Sequence, residues 1–515
     1  MSRTEDFTDA ILTGYQSEGE NILLGSALLD GEILKEARIR IPLKTLNRHG
    51  LISGATGTGK TVSLQILAEN ICAAGIPVLL MDLKGDLSGI AETGVMNAKL
   101  VERQKALGLE YIAAPTSAEF LSISNEPGVR LRATVSEFGP VLFSKILELN
   151  PTQSSIMSLL FKYADDKQLP LLDLKDAKQL LQFAAKEGKA EIQSEYGNIS
   201  PASLSTILRK IIELESQGGE IFFGETSFDV NDLLRHDSKG RGIASIIRLR
   251  DIQDKPKLFS SFMLCLLAEV YSSFPEAGDT DKPRLCIFID EAHLIFREAS
   301  DALLHEIESI IKLIRSKGVG VFFITQNPYD VPDSVLSQLG LKVQHALRAF
   351  TEKDRKAIKK TAENYPVSAY YRTDELITSL GIGQALITAL NEKGIPTPLA
   401  AVHLRAPVSR IGSLSEAELN EKISRSMLAA KYNAIVDRES AYEILRAKMN
   451  GIPNSAENAR TQKPATEKGK KEKSILEQAG NSPVVKQIGR TVAREVTRGL
   501  LGILGLGPRR KSGWF

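Results

Sequence analysis

An α/β fold, a parallel sheet flanked by helices, is what the sequence predicts, and three observations predict it. The apolar run Leu51-Ile52-Ser53 enters a Gly-rich turn, then a stretch over 62–74 with Leu64, Ile66, Leu67 and Ile71 at helical spacing, then a second apolar run, Val78-Leu79-Leu80-Met81-Asp82. Strand, turn, helix and strand in that order make a βαβ unit, which sets the two strands parallel. Similar apolar runs recur at 243–247, 285–289 and 319–324, separated by helical stretches over 258–273 and 301–317. Finally, 515 residues at 43% hydrophobic and 25% charged give ample core, which excludes wholesale disorder.

In chain order, residues 1–46 form a lead-in, within which Arg38-Ile39-Arg40-Ile41 alternates as a half-buried strand does. Residues 47–140 are the first half of the sheet. A helical insertion is expected over 141–240, because Leu142, Ile146 and Leu149, then Ile156, Leu159 and Leu160, then Leu180, Leu181 and Phe183, then Ile207, Leu208, Ile211 and Ile212 follow helical spacing. Ser200 or Ser203 can cap one of its helices. The sheet resumes over 241–410, and further helices occupy 411–451. From 452 to 483 the chain is rich in Lys, Glu, Asn, Ser and Pro and reads as a disordered linker. Residues 484–515 regain helical periodicity.

Composition narrows the cellular setting. Three cysteines (Cys72, Cys265, Cys286) are too scattered for a disulfide framework or a zinc site, which points to the cytoplasm. No run reaches the ~18 apolar residues of a membrane span, and the opening residues are polar. The net charge of +2 is uneven: from Gly451 onward thirteen basic residues face five acidic ones, so the tail carries +8 and the body −6.

Gly54-Ala55-Thr56-Gly57-Thr58-Gly59-Lys60-Thr61 matches the P-loop pattern in full. Its glycines let successive N–H groups curl around a phosphate, Lys60 can reach the β and γ oxygens, and the Thr61 hydroxyl can ligate Mg²⁺. The helix that follows adds its positive N-terminus. ATP and Mg²⁺ are the expected ligands. Asp290, at the end of the 285–289 run, can hold Mg²⁺ through water, and Glu291 can polarise the attacking water. Gln326, ending the next run, can bond the γ-phosphate or that water. Asp82 ends a strand on the same edge; beyond it, Lys84 or Asp86 can face the nucleotide or a partner, or the segment is a simple turn. His49, His236, His305, His345 and His403 show no metal-ligand spacing and read as structural or surface residues.

Together these residues resemble the HerA/FtsK branch of P-loop ATPases. The matching strings are Asn47 through Thr61, Asp82-Leu83-Lys84-Gly85-Asp86, Ile289-Asp290-Glu291-Ala292-His293 and Thr325-Gln326. The pattern is most similar to the bacterial YjgR-like group of HerA-like ATPases and covers about 15–450. The resemblance implies a RecA-like parallel sheet and a homo-oligomeric ring of six subunits, with nucleotide at subunit interfaces and double-stranded DNA moved through the pore. It also implies an arginine supplied by a neighbouring subunit. Arg315, on the helix after the acidic strand, is the first candidate, and Arg348, expected to end the next strand, is the second. A lead-in of 46 residues is too short for the N-terminal β-barrel of HerA proper. An ATP-driven switch or assembly protein, membrane-associated and without DNA translocation, is the alternative.

In the tail, Arg490, Arg494 and Arg498 form one helical stripe and Val484, Ile488, Val492 and Val496 another. Such a basic amphipathic helix can lie on anionic lipid at the membrane periphery, grip nucleic acid, dock on another subunit or pack on its own body.

Overall fold

The computed structural model describes residues 2–450, apart from 279, 299, 300, 435 and 437. The 452–483 linker and the 484–515 helix anticipated from the sequence lie outside the described residues. Twelve described strands form one sheet. In chain order they are β1 (Asn21–Leu29), β2 (Glu32–Pro42), β3 (Gly50–Ser53), β4 (Val78–Asp82), β5 (Ala118–Ser122), β6 (Val129–Arg130), β7 (Ala244–Arg248), β8 (Leu285–Ile289), β9 (Val319–Thr325), β10 (Leu341–Gln344), β11 (Gln384–Thr388) and β12 (Ala400–Leu404). Their spatial order is β2-β1-β12-β11-β10-β3-β9-β8-β4-β7-β5-β6.

From β10 to β6 every pairing is parallel. From β10 outward through β11, β12, β1 and β2 the pairings are antiparallel. The lead-in is therefore part of the sheet. Its Arg38-to-Ile41 alternation belongs to β2, and it opens with the helix Arg3–Gly14, where Ser2 and Glu5 form a reciprocal capping box.

Both faces of the central strands are covered, so these strands are apolar throughout rather than alternating. Period-2 geometry sends Leu79, Met81, Ile287, Ile289, Val321 and Phe323 into one core, and Val78, Leu80, Cys286, Phe288, Phe322 and Ile324 into the other. The first core also takes the helices Pro256–Ser273 and Asp301–Ile314. The second takes Lys60–Ala73, the helix of the βαβ unit.

Between β6 and β7 the chain is helical: Val135–Ile146, Pro151–Asp166, Leu174–Ala185, Lys189–Tyr196, Pro201–Ser216 and the short turn Gly219–Phe222. Each longer segment starts on a side-chain cap. Thr134, Asn150, Asp173 and Ser200 accept from backbone N–H groups of their own first turns. Of the two serines open in the sequence, Ser200 is the cap. The helix Ala441–Met449 docks on this bundle, its Tyr442 N–H donating to Asp176 at 2.7 Å. No described helix is long and apolar enough to cross a membrane.

Candidate active site

Parallel strands present their C-terminal ends at one edge, and ligands of open α/β sheets gather there. Along this edge β3, β9, β8 and β4 stand side by side. Register aligns Ser53 with Thr325, Phe323 with Ile289, and Ile289 with Met81. The residues leaving these strands, Gly54 onward, Gln326, Asp290 with Glu291, and Lys84, are therefore brought together from four separate parts of the sequence.

The P-loop turns on three glycines with positive φ, Gly54 at 149°, Gly57 at 77° and Gly59 at 113°. Gly54 is also close-packed: a Cβ there would lie 2.5 Å from the Cβ of His345. The loop is pinned from outside by the Ala55 N–H, which donates to the Ala346 carbonyl at 2.8 Å, and from inside by the Thr58 hydroxyl on the Ala55 carbonyl at 2.7 Å. Lys60 begins the helix, and its ammonium folds back to donate to the carbonyls of Gly54 (2.7 Å) and Ala55 (3.1 Å). Burial lowers its pKa, and the nearby Lys84 lowers it further. Thr61 is the next residue on that helix and is half-buried.

Asp290 is almost wholly buried. One carboxylate oxygen accepts from the Glu291 N–H at 2.9 Å; the other, Oδ2, has no hydrogen-bond partner among the described residues. Burial raises its pKa to about 6, against the pull of Lys84. A buried carboxylate oxygen without a donor is the hard-oxygen chemistry that a hydrated Mg²⁺ takes up, so Asp290 fits that ion.

Glu291 has φ +46°, a region a non-glycine residue seldom occupies, costing about 1–3 kcal/mol. Its Oε1 pairs with the Lys84 ammonium at 2.5 Å and its Oε2 faces His293 Nδ1 at 3.2 Å. Burial would raise its pKa, but Lys84, His293 and a hydrogen bond from Gln326 outweigh burial and hold it below the usual carboxylate value. Gln326 is exposed; its Oε1 accepts from the Thr56 hydroxyl at 3.4 Å, and its side chain lies beside Glu291.

Lys84 reaches Glu291 through a built turn. The buried Asp82 carboxylate accepts from the N–H groups of Gly85 (2.7 Å), Asp86 (3.2 Å) and Leu87 (3.3 Å). A simple turn was one of the two alternatives for this segment; it is a turn, and it delivers the lysine to the site. Lys84 is thus a cation from the same chain in addition to Lys60. The other residue hidden in the sequence is His345. It is buried beneath the P-loop, its Nε2 2.8 Å from the Ser63 hydroxyl. No spacing signalled it, because strand pairing alone carries it there.

The two arginines lie at opposite edges. Arg315 is exposed on the turn Arg315–Lys317 just before β9, at the N-terminal edge. Seven strand residues separate it from the phosphate edge, roughly 20 Å, so it cannot serve its own P-loop. Arg348 does not end a strand: β10 stops at Gln344, and Arg348 lies four residues on, its guanidinium donating to the Thr378 carbonyl at 3.2 Å. It follows by two residues Ala346, the P-loop's anchor.

A sheet with a P-loop after one strand, an acid pair after the next but one and a glutamine between them defines a P-loop ATPase of the HerA/FtsK type. The chain belongs to the helicase HerA-like C-terminal family, whose model matches residues 28–511. It is 23% identical over 385 residues to the DNA double-strand break repair helicase HerA of Saccharolobus solfataricus, covering 74% of this chain and 68% of that protein. It is 20% identical over 368 residues to the protein of the same name from Sulfolobus acidocaldarius, covering 70% and 66%. The chain thus spans about two thirds of these relatives' length. Among solved structures it is similar to the bacterial conjugative coupling protein TrwBdeltaN70, with a TM-score of 0.52 at 14% identity over 80% of this chain and 94% of that one. A further structure, plasmid coupling protein TrwB with a non-hydrolysable ATP analogue, has a TM-score of 0.50 at 15% identity over 78% and 98%. These likenesses establish the fold.

Proposed function

We propose that this chain hydrolyses ATP with Mg²⁺ in a ring-shaped homo-oligomer of six subunits, and that it uses the energy to move double-stranded DNA. The observation that carries this is the convergence of Lys60, Thr61, Asp290, Glu291 and Gln326 on one sheet edge. In this assignment Lys60 and the P-loop N–H groups bind the β and γ phosphates, and Thr61 with Asp290 would hold Mg²⁺. That ion, when bound, offsets phosphate charge. Glu291 polarises the lytic water, and Gln326 aligns water and γ-phosphate between Thr56 and Glu291.

A neighbouring subunit's arginine completes the charge balance. Arg315 is preferred, because it lies at the sheet edge opposite its own P-loop, where only another subunit's nucleotide could meet it. Arg348 is the second candidate. DNA as the cargo is supported by the named activity of the two HerA relatives, and ATP by the TrwB structure with an ATP analogue.

The test is the ATPase rate of the full chain with and without duplex DNA, on a sample whose mass is measured in parallel. An oligomer stimulated by duplex DNA is expected. No response to any nucleic acid, with binding to anionic liposomes instead, would favour an ATP-driven switch at a membrane.

A further inference from the structure

We propose that Lys84 is a cis cation of the active site with two successive partners: it holds the Glu291 carboxylate before hydrolysis and engages the γ-phosphate during it. This rests on the assignment of Glu291 as the residue that polarises the lytic water. Four observations support it.

The lysine is placed by structure that leaves little freedom at its root. Asp82 closes the turn with three accepted hydrogen bonds. Gly85 has φ +78°, and a Cβ there would lie 2.3 Å from Arg250 Cδ. Parallel register of β4 with β8 then sets the segment after Asp82 beside the segment after Ile289.

The contact is unequal in a useful way. The Glu291 side chain is 10% exposed while that of Lys84 is 38% exposed. An ammonium has three donors. Glu291 takes one, and the solvent-facing remainder of Lys84 is available to an incoming anion. Glu291 Oε2, in turn, lies 3.2 Å from His293 Nδ1, so the carboxylate keeps a neighbour when Lys84 turns.

The two ammoniums of the site, Lys60 and Lys84, face the carboxylates of Asp82, Asp86, Asp290 and Glu291 and differ in exposure. Lys60, assigned above to the β and γ phosphates, rests on the Gly54 and Ala55 carbonyls at the floor of the P-loop. Lys84 is the more exposed of the two, and it stands across the acid pair from the cradle.

Finally, the switch fits the chemistry. Water oxygen forms a bond to the γ phosphorus as the bond from phosphorus to the bridging oxygen breaks, its electrons going to ADP. The water proton needs an acceptor, and Glu291 is a weaker base while the Lys84 ammonium holds its Oε1 than after that ammonium has left. The same movement carries a positive charge towards the γ oxygens, where negative charge is spread in the transition state. Arrival of the third phosphate thereby both frees the base and supplies the cation, so ADP does neither.

The full chain is tested as Lys84→Ala, Lys84→Arg and Glu291→Gln, with binding of ADP and of a non-hydrolysable ATP analogue measured beside turnover. Lys84→Ala is expected to bind ADP within about twofold of wild type, to lose about tenfold in its preference for the ATP analogue over ADP, and to drop in kcat by about 10²- to 10³-fold. Lys84→Arg should recover most of the preference. Glu291→Gln should keep the preference and lose turnover. Wild-type preference and kcat in Lys84→Ala, with Glu291→Gln inactive, would overturn the role of Lys84 alone. Equal weakening of ADP and analogue, not restored by arginine, would make Lys84 a structural residue and also overturn it. Wild-type turnover by Glu291→Gln would instead remove the Glu291 assignment on which the switch rests.

Discussion

His49 sits at the threshold of the P-loop strand, with φ +60°. Its Nδ1 accepts from the Val321 N–H at 3.0 Å and its Nε2 faces the Ile311 carbonyl at 3.0 Å. Those two partners specify the neutral ring protonated at Nε2, since a protonated Nδ1 would oppose an N–H group. Burial pushes its pKa down to about 4, as it does for His345 and His403. These groups stay neutral in the fold while the unfolded chain takes up protons near 6.5, so their contribution to stability is lost as pH drops from about 6.5 towards 4, while the buried carboxyls of Glu69, Asp82 and Asp290, raised to about 7, 7 and 6, contribute the opposite slope as pH falls below 7. The share of His49 is isolated by comparing denaturant midpoints of wild type and His49→Asn at pH 7 and pH 5. The asparagine keeps an acceptor for Val321 and removes one titrating group, so from pH 7 to pH 5 the variant's midpoint should fall less, or rise more, than that of the wild type. At the same scale, Lys60 has no substitute in the cradle. Lys60→Ala should abolish ATP binding or weaken it by about 100-fold or more, measured by fluorescence titration or calorimetry; unchanged affinity would remove the phosphate assignment.

The elements divide by how local their causes are. Phe288 on β8 and Phe322 on β9 stack across the strand pair, ring centroids 4.6 Å apart, both fully buried. Phe288→Ala should cost about 3–5 kcal/mol in chemical denaturation, because the strands on either side cannot collapse into the space. Asp173, capping Leu174–Ala185 through the N–H groups of Lys175 and Asp176, is a smaller contribution: Asp173→Ala should cost about 1 kcal/mol. Elements with such strong local signals were legible in the sequence. The P-loop, the apolar runs of β4, β7, β8 and β9, and helix Pro201–Ser216 all declare themselves within a few residues. β1 and the short β5, β6, β11 and β12 did not, because nothing in a run such as Gln384–Thr388 states which strands it will pair with. The site divides the same way. Lys60, Asp290, Glu291 and Gln326 follow strand ends that the sequence reveals. The Lys84–Glu291 pair depends on β4 lying next to β8, which register decides and no motif records.

At the scale of the whole molecule the two arginines matter most. With Arg315 at the far edge of its own sheet, its role in hydrolysis requires a second subunit. Arg315→Ala is expected to bind ATP and to oligomerise while losing about 10³-fold in turnover. Glu291→Gln subunits keep their arginine and Arg315→Ala subunits keep their acid, so mixing two inactive preparations should restore part of the activity at hybrid interfaces. Mixed oligomers that form and stay inactive would move the role to Arg348.

The order of the strands in space also fixes an order in time. β3 carries the phosphate cradle, yet its neighbours β9 and β10 are encoded at Val319–Thr325 and Leu341–Gln344, and β1 waits for β12 at Ala400–Leu404. A ribosome emits these partners some 270 to 380 residues after the strands that need them. During synthesis the first βαβ unit therefore leaves the exit tunnel with both edges of β3 bare, and no nucleotide can help it fold. Such non-local pairing slows folding and prolongs exposure of apolar edges. Ribosome-bound chains halted before β9 should bind chaperones and fail to bind ATP. Chains released after β12 should do the reverse.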